Sequence, residues 1–301
     1  ADARAPLMTV IAIVGPTAVG KSDVAVELAL AMGAEIVSAD SMQVYVGMDI
    51  GTAKLGLTQR RGVPHHMIDV WQPIDEVSVV AFRDRARAAI SDALSRGVPV
   101  IVVGGSWLYV QAVLDEMDFP GTDPELRARL EAELIEVGPQ AMHERLAAAD
   151  PDAAAAILPT NGRRIVRALE VVELTGSFTA RLPEARAWVE ARWIGLAVDR
   201  VVLDARITER VDEMWERGLV DEVMALRERG LGRTARGALG YRQVLQALEG
   251  NGDLEVARRE TIDGTRKFAR RQERRFRQDE RITWVAAGPD AVTTTLTLLR
   301  R

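Results

Sequence analysis

The chain contains no cysteine, which excludes a disulfide framework, a thiolate nucleophile and any cysteine-ligated zinc site. Only three histidines are present, too few for a transition-metal cage, so any metal is expected to be magnesium held by oxygen atoms and substrate phosphates. Long apolar runs are also missing. The run Thr9 to Val14 is far short of the roughly 20 residues that span a bilayer, and no signal pattern precedes it, so the expectation is a cytoplasmic protein with no membrane partner. Internal repeats are absent, and the only low-complexity stretch is Ala153 to Ala156. The net charge of −5 argues against nucleic-acid binding until its distribution is considered. Between Arg258 and Arg281 ten Lys or Arg face five Asp or Glu, a local excess of +5, which leaves −10 for the remainder.

What is present is enough apolar residue, 48% of 301, to bury a full core. Residues 1–8 carry no pattern and read as a leader. Thr9 to Val14 reads as a strand running into Gly15, and Ser22 to Met32 as the helix after it. Glu35 to Ser38 is a second strand, Ser78 to Ser95 a helix, and Val98 to Val103 a strand buried on both faces that ends at Gly104-Gly105. Strands alternating with helices predict a parallel α/β sheet.

The texture changes near Phe119. Thr122-Asp123-Pro124-Glu125 is a helix start read with Thr122 as cap, and Ala, Leu, Glu and Arg at helical period continue to Thr175. This predicts an all-helical insertion over 119–189 within a core of 9–118 and 190–301. Arg192 to Val198 then reads as a returning strand, Ile207 to Arg229 as one long helix, Tyr241 to Leu248 as a short one, Leu254 to Gln278 as another long one, and Ile282 to Val285 as the last strand.

Gly15-Pro16-Thr17-Ala18-Val19-Gly20-Lys21-Ser22 matches G-x-x-x-x-G-K-S between a strand and a helix, the context in which that motif is a P-loop. Its backbone N–H groups curl around an anionic phosphate, the helix N-terminus adds a favourable dipole, Lys21 supplies charge, and Ser22 is the candidate metal ligand. The loop does not say whether its guest is a nucleoside triphosphate or another diphosphate. Asp40 follows the second strand at the same edge of the sheet, where it either reaches the bound group or caps a turn. Ser41, Gln43, Tyr45 and the segment 47–54 form a donor-rich loop that either reads a base or solvates a surface. A magnesium-holding aspartate is missing after Val103, against a generic kinase. His65-His66 lack a third ligand and are expected to serve loop packing.

The strings GPTAVGKS (15–22), SADSMQVYVGMDIGTAK (38–54), PHHMIDV (64–70), VVGGSWLY (102–109), NGRRIVRALEV (161–171) and GALGYRQ (237–243), in this order, resemble the tRNA dimethylallyltransferases over about Thr9 to Val285. Two departures stand out: Ser106 where the family usually has threonine, and Trp107 where it has a small residue. The resemblance implies a P-loop NTPase-like core, a helical insertion that grips the anticodon stem-loop, and dimethylallyl diphosphate with Mg²⁺ as ligands. The acceptor it implies is N6 of the adenosine 3′ of the anticodon in tRNAs reading U-starting codons.

An exocyclic adenine amine is a weak nucleophile, so a base is needed, and Asp40 is the candidate by position and motif. Departing diphosphate is to be stabilised by the P-loop amides, Lys21, magnesium through Ser22, and Arg210, which the resemblance places in the R-I-x-x-R helix after Arg206. Thr17 matches a family position that contacts the diphosphate. For tRNA the candidates are Asp40, Ser41, Met42, Gln43 and Ser106 at a flipped base, and Arg163, Arg164 and Arg167 on the insertion. Arg242 and a C-terminal basic face of Arg266, Arg270, Arg274, Arg277 and Arg281 complete them. The expected state is a monomer.

Overall fold

A computed structural model describes residues 10–117, 119–178, 186–250 and 252–300; the leader expected over 1–8 lies outside the described residues. The chain forms two compact units, one built from the residues up to Asp115 and from Ala187 onward, the other from Glu116–Arg186.

The first unit begins with β1 (Val10–Val14), α1 (Lys21–Met32), β2 (Glu35–Ser38), α2 (Leu57–Arg60), β3 (His65–His66), α3 (Val79–Ser95), β4 (Val100–Gly104) and α4 (Trp107–Leu114). A two-residue strand, β5 (Asp115–Glu116), precedes the excursion α5 (Pro124–Ala149), α6 (Pro151–Ala155) and α7 (Gly162–Thr175), and another, β6 (Arg186–Ala187), follows it. Then come β7 (Ala191–Ala197), α8 (Arg200–Glu216), α9 (Leu219–Arg229), α10 (Arg233–Arg236), α11 (Tyr241–Glu249), α12 (Leu254–Phe276), β8 (Ile282–Ala286) and α13 (Ala291–Leu299).

Six strands form one parallel sheet in the order β3-β2-β4-β1-β7-β8. β1 and β4 lie at its centre and are buried throughout, which is why both are uninterrupted apolar runs. Alternation divides β1 between two cores: Val10, Ala12 and Val14 pack on one face with Phe82, Ile90, Tyr241 and Phe276. Ile11 and Ile13 pack on the other with Leu28 and Ile207. The His66 Nε2 lies 2.7 Å from Glu35, whose carboxyl the Arg96 guanidinium holds down at about 2.

The long helix expected from Ile207 to Arg229 is two helices, and it begins earlier, at Arg200. Gly218 adopts a left-handed backbone (φ +91°) between α8 and α9, a break that helical periodicity does not reveal because the apolar spacing resumes immediately. The excursion starts with Asp123, not Thr122, as cap: its carboxylate accepts the N–H groups of Glu125 and Leu126.

Within the second unit Leu130, Met142, Leu146, Ile165 and Leu169 make a separate core. At its edge Glu170, fully buried, accepts from Arg127 and Arg167 and from the Asp123 amide. Removing a carboxylate that organises two guanidiniums and a backbone N–H costs each of the three one acceptor and leaves the Arg127 charge without its buried partner. Glu170→Ala is therefore expected to destabilise this unit by about 3 kcal/mol, seen as early loss of amide-exchange protection in α5 and α7 with the P-loop sheet still protected.

Candidate active site

β1 delivers the chain into the loop at Gly15, whose backbone (φ +145°) and surroundings both demand glycine: a Cβ would lie 2.7 Å from the Leu196 carbonyl oxygen on β7. Gly20 (φ +99°) then caps α1 without a side chain, so the first amides of that helix have no side-chain cap where Gly20, Lys21 and Ser22 line the cavity. The Lys21 ammonium donates to the Pro16 carbonyl at 2.7 Å, closing the loop on itself. Thr17 is a junction: its N–H donates to Gln272 Oε1 (2.9 Å), and its hydroxyl accepts from Arg210 of α8 (3.5 Å).

Thr17, Ala18, Gly20, Lys21, Ser22, Asp40, Gln43 and Arg210 line one open cavity of about 250 Å³ at the C-terminal edge of the sheet. Not every loop residue takes part through its side chain, since Val19 packs into the core and Gly15 and Pro16 lie outside the lining. Loss of hydration first, and the neighbouring Arg210 cation second, lower the Lys21 ammonium to about 7, with Asp40 opposing. Burial likewise lowers Arg210, with Asp23 and Glu213 acting against it.

Asp40 both caps and faces the cavity. Its Oδ1 accepts the N–H groups of Met42 (2.8 Å) and Gln43 (3.3 Å), while Oδ2 takes no hydrogen bond among the described residues. Gln43 is held in place, accepting from Ser38 at 3.0 Å and donating to the Thr52 carbonyl at 3.2 Å. Ser22 and Asp40 supply oxygen donors, and no group of three His, Cys, Asp or Glu able to hold a metal exists among the described residues. The donor set suits a hard cation that takes most of its ligands from a bound phosphate.

The remaining sequence candidates are scattered. Ser41 and Ser106 are half-buried outside the cavity lining, Ser106 at the start of α4, and Met42 packs on the core. Trp107 fills space against Phe276 (5.5 Å between centroids) under the Arg275 guanidinium, so its bulk belongs to core packing. Lys54 lines the cavity and staples its loop: buried, it donates to the Tyr45 carbonyl (2.9 Å) and to Asp49 (2.6 Å) and Asp69 (2.5 Å).

The basic candidates have different surroundings. Arg167 donates within its own unit to Glu170 and to the carbonyls of Pro120 and Gly121. Arg242 lies outside the cavity, in an open groove with Lys267 and Arg271. The C-terminal basic face is divided: Arg266 donates to Thr208, and Arg281 makes a bidentate pair with buried Asp115 (2.7 and 2.9 Å) above the Trp193 ring. Arg163 and Arg274 are exposed, as is Arg270, 3.9 Å from Asp204.

Gln272 and Gly105 lie against the P-loop, although neither stands out in the sequence as a site residue. A Cβ on Gly105 would fall 2.5 Å from Gln272 Nε2 and 3.4 Å from Lys21 Nζ, so the glycine lets α12 approach the P-loop. A buried glutamine amid arginines was the available signal, since a polar residue at a core-facing helical position calls for a partner.

A central parallel sheet whose first strand opens into this anion-binding loop makes the first unit a P-loop α/β enzyme core. The chain belongs to the IPP transferase family, whose model matches residues 43–279, with an isopentenyl transferase model matching residues 8–65. It is 58% identical over 295 residues to a tRNA dimethylallyltransferase of Thermobifida fusca, covering 95% of this chain and 92% of that relative. A solved tRNA isopentenylpyrophosphate transferase from Bacillus halodurans is 40% identical, with TM-score 0.73 over 97% of this chain and 96% of the other. A eukaryotic dimethylallyltransferase solved acting on tRNA is 26% identical, with TM-score 0.77 over 96% and 77% of the two chains.

Proposed function

We propose that this chain transfers the dimethylallyl group of dimethylallyl diphosphate to N6 of the adenosine 3′ of the anticodon in tRNAs reading U-starting codons. The products are N6-isopentenyladenosine and diphosphate. The observation that carries this reading is the one cavity that Asp40 shares with the P-loop cation Lys21 and the α8 cation Arg210.

The diphosphate sits on the N–H groups of the loop 15–22, with Lys21 and Arg210 supplying positive charge and the Thr17 hydroxyl fixed between loop and α8. As the C1–O bond breaks, negative charge collects on the leaving diphosphate, where these pre-placed donors hold it more strongly than in the ground state. N6 attacks C1, and its proton passes to Asp40 Oδ2, the oxygen not used for capping. Mg²⁺ fits beside Ser22 and would supply further charge neutralisation at the diphosphate when bound.

The adenine must leave its stack to reach this cavity, with Gln43 at the cavity wall as a polar partner, and Ser41 and Ser106 as further ones, each next to a lining residue, Asp40 and Gly105. In this reading the helical unit, carrying Arg163 and Arg164, holds the anticodon stem-loop, and exposed Arg270 and Arg274 on α12 hold RNA phosphate. Radiolabelled dimethylallyl diphosphate incubated with unmodified tRNA tests the proposal: label should enter RNA, and ATP turnover without RNA labelling would establish a kinase instead.

Lys21 adds a pH signature. Free, it titrates at about 7, and a bound diphosphate anion raises it, so binding takes up a proton wherever the pH lies between the two values. Affinity is then flat for this group below pH 7 and falls by up to about tenfold per unit above it, until the raised value is reached. Calorimetry between pH 7.5 and 9 in buffers of different ionisation enthalpy, above the diphosphate's own titration near about 6, should show proton uptake; release or no exchange would contradict it.

A further inference from the structure

The G-T-A-K and G-Y-R-Q motifs have no part in the chemistry above, yet they meet at one side chain. The Glu222 carboxylate of α9 accepts the backbone N–H groups of Asp49 (3.0 Å), Ile50 (2.7 Å) and Gly51 (3.2 Å). The Tyr241 hydroxyl donates to the same carboxylate at 2.5 Å. Tyr241 is fully buried, and its ring lies so close to Gly51 that any Cβ there would overlap it. Burial and the Glu222 charge push the phenol far above its usual range, so it remains a donor at every physiological pH. Four hydrogen bonds to one carboxylate thus hold a loop turn rigid, and the residue in the middle of that turn, Ile50, lines the catalytic cavity.

Met214 of α8 lines the same cavity. It stands four residues after Arg210, on the same helical face and about 6 Å further along the axis. A five-carbon chain whose diphosphate is held at Arg210 extends about 5 Å beyond its C1 oxygen, given C–C bonds of about 1.5 Å. A tail running from there along α8 brings its branched end to the level of Met214. The other large apolar side chains in the cavity, Leu55 and Val103, border a separate recess of about 20 Å³, room for one water and not for a prenyl group.

We propose that Ile50 and Met214 form the apolar wall that receives the donor's hydrocarbon tail and limits it to five carbons, with Glu222 and Tyr241 positioning Ile50. This rests on the prenyl-transfer reading above. Met214 is unbranched and polarizable, suited to close contact with an allylic carbon that gains positive charge as diphosphate departs. Ile50 is β-branched on a pinned backbone, which restricts how far it can yield to a longer chain.

The test compares kcat/KM for geranyl diphosphate and dimethylallyl diphosphate on the same tRNA, in wild type, Met214→Ala, Ile50→Val and Leu55→Ala. Wild type should transfer the five-carbon group and discriminate against the ten-carbon one. The geranyl-to-dimethylallyl ratio should rise about tenfold or more in Met214→Ala and severalfold in Ile50→Val, the scale of methylene-sized changes in an apolar pocket. Glu222→Gln, which weakens the clip without touching the cavity wall, should raise the same ratio. An unchanged ratio in both Met214→Ala and Ile50→Val, or a rise confined to Leu55→Ala, overturns the inference. Failure of wild type to transfer even the five-carbon group would instead overturn the underlying reaction. Since the readout is a ratio within each protein, partial loss of folded enzyme does not move it.

Discussion

Asp40→Asn lowers kcat by about 10²- to 10⁴-fold, or about 3 to 5 kcal/mol of barrier, while the donor still binds. Asparagine is the informative choice because Asp40 has two separate tasks. Oδ1 caps the turn by accepting from Met42 and Gln43, and an amide oxygen performs that task equally well. The oxygen that takes no hydrogen bond among the described residues becomes an NH₂ group, which cannot accept a proton from N6. The loop 40–43 is therefore preserved and the base is removed. Single-turnover rates with saturating tRNA and donor measure the effect. A variant with unimpaired turnover would show that proton removal happens elsewhere and that Asp40 is a capping residue only.

The second large effect belongs to Arg210. Its guanidinium is desolvated, directed at Thr17 of the P-loop, and close enough to Lys21 to depress that ammonium. A cation in so little water acts strongly on charge that appears only as the C1–O bond breaks. Arg210→Ala should lower kcat by about 10²- to 10³-fold, with a smaller change in KM, because the charge it stabilises is greater in the transition state. The same substitution removes the second cause of the Lys21 shift, so the ammonium should titrate higher than about 7. The pH dependence of donor binding then moves upward with it. Equal losses in kcat and in donor affinity, with the pH profile unmoved, would reduce Arg210 to a ground-state binding residue.

Much of this site could be read from local sequence because its parts are local. A buried apolar run, two glycines at fixed spacing and a lysine leading into a helix define the P-loop without distant contacts, and the loop lies where the motif places it. Asp40 was visible as a candidate but not resolved between cap and base, since spacing alone supports both. The geometry shows the capping and leaves one oxygen toward chemistry. Arginines were legible as positive charge but not as free or engaged. Arg167 turns to carbonyls 46 and 47 residues away, and Arg281 to a carboxylate 166 residues away, distances that helical period does not encode. Trp107 illustrates the same limit, because its ring contact is with Phe276 from the far end of the chain.

Sequence by itself determined the class of sheet, the anion-binding loop, the presence of a helical excursion and the absence of cysteine chemistry. Each follows from short-range rules of periodicity, capping and residue type. Tertiary structure alone decided that Gln272 holds Thr17, that Glu222 gathers the amides of one loop and the hydroxyl of Tyr241, and that Met214 shares a cavity with Ile50. Those pairings join residues separated by 255, 172, 19 and 164 positions, and their energies arise only once the sheet has brought the segments together.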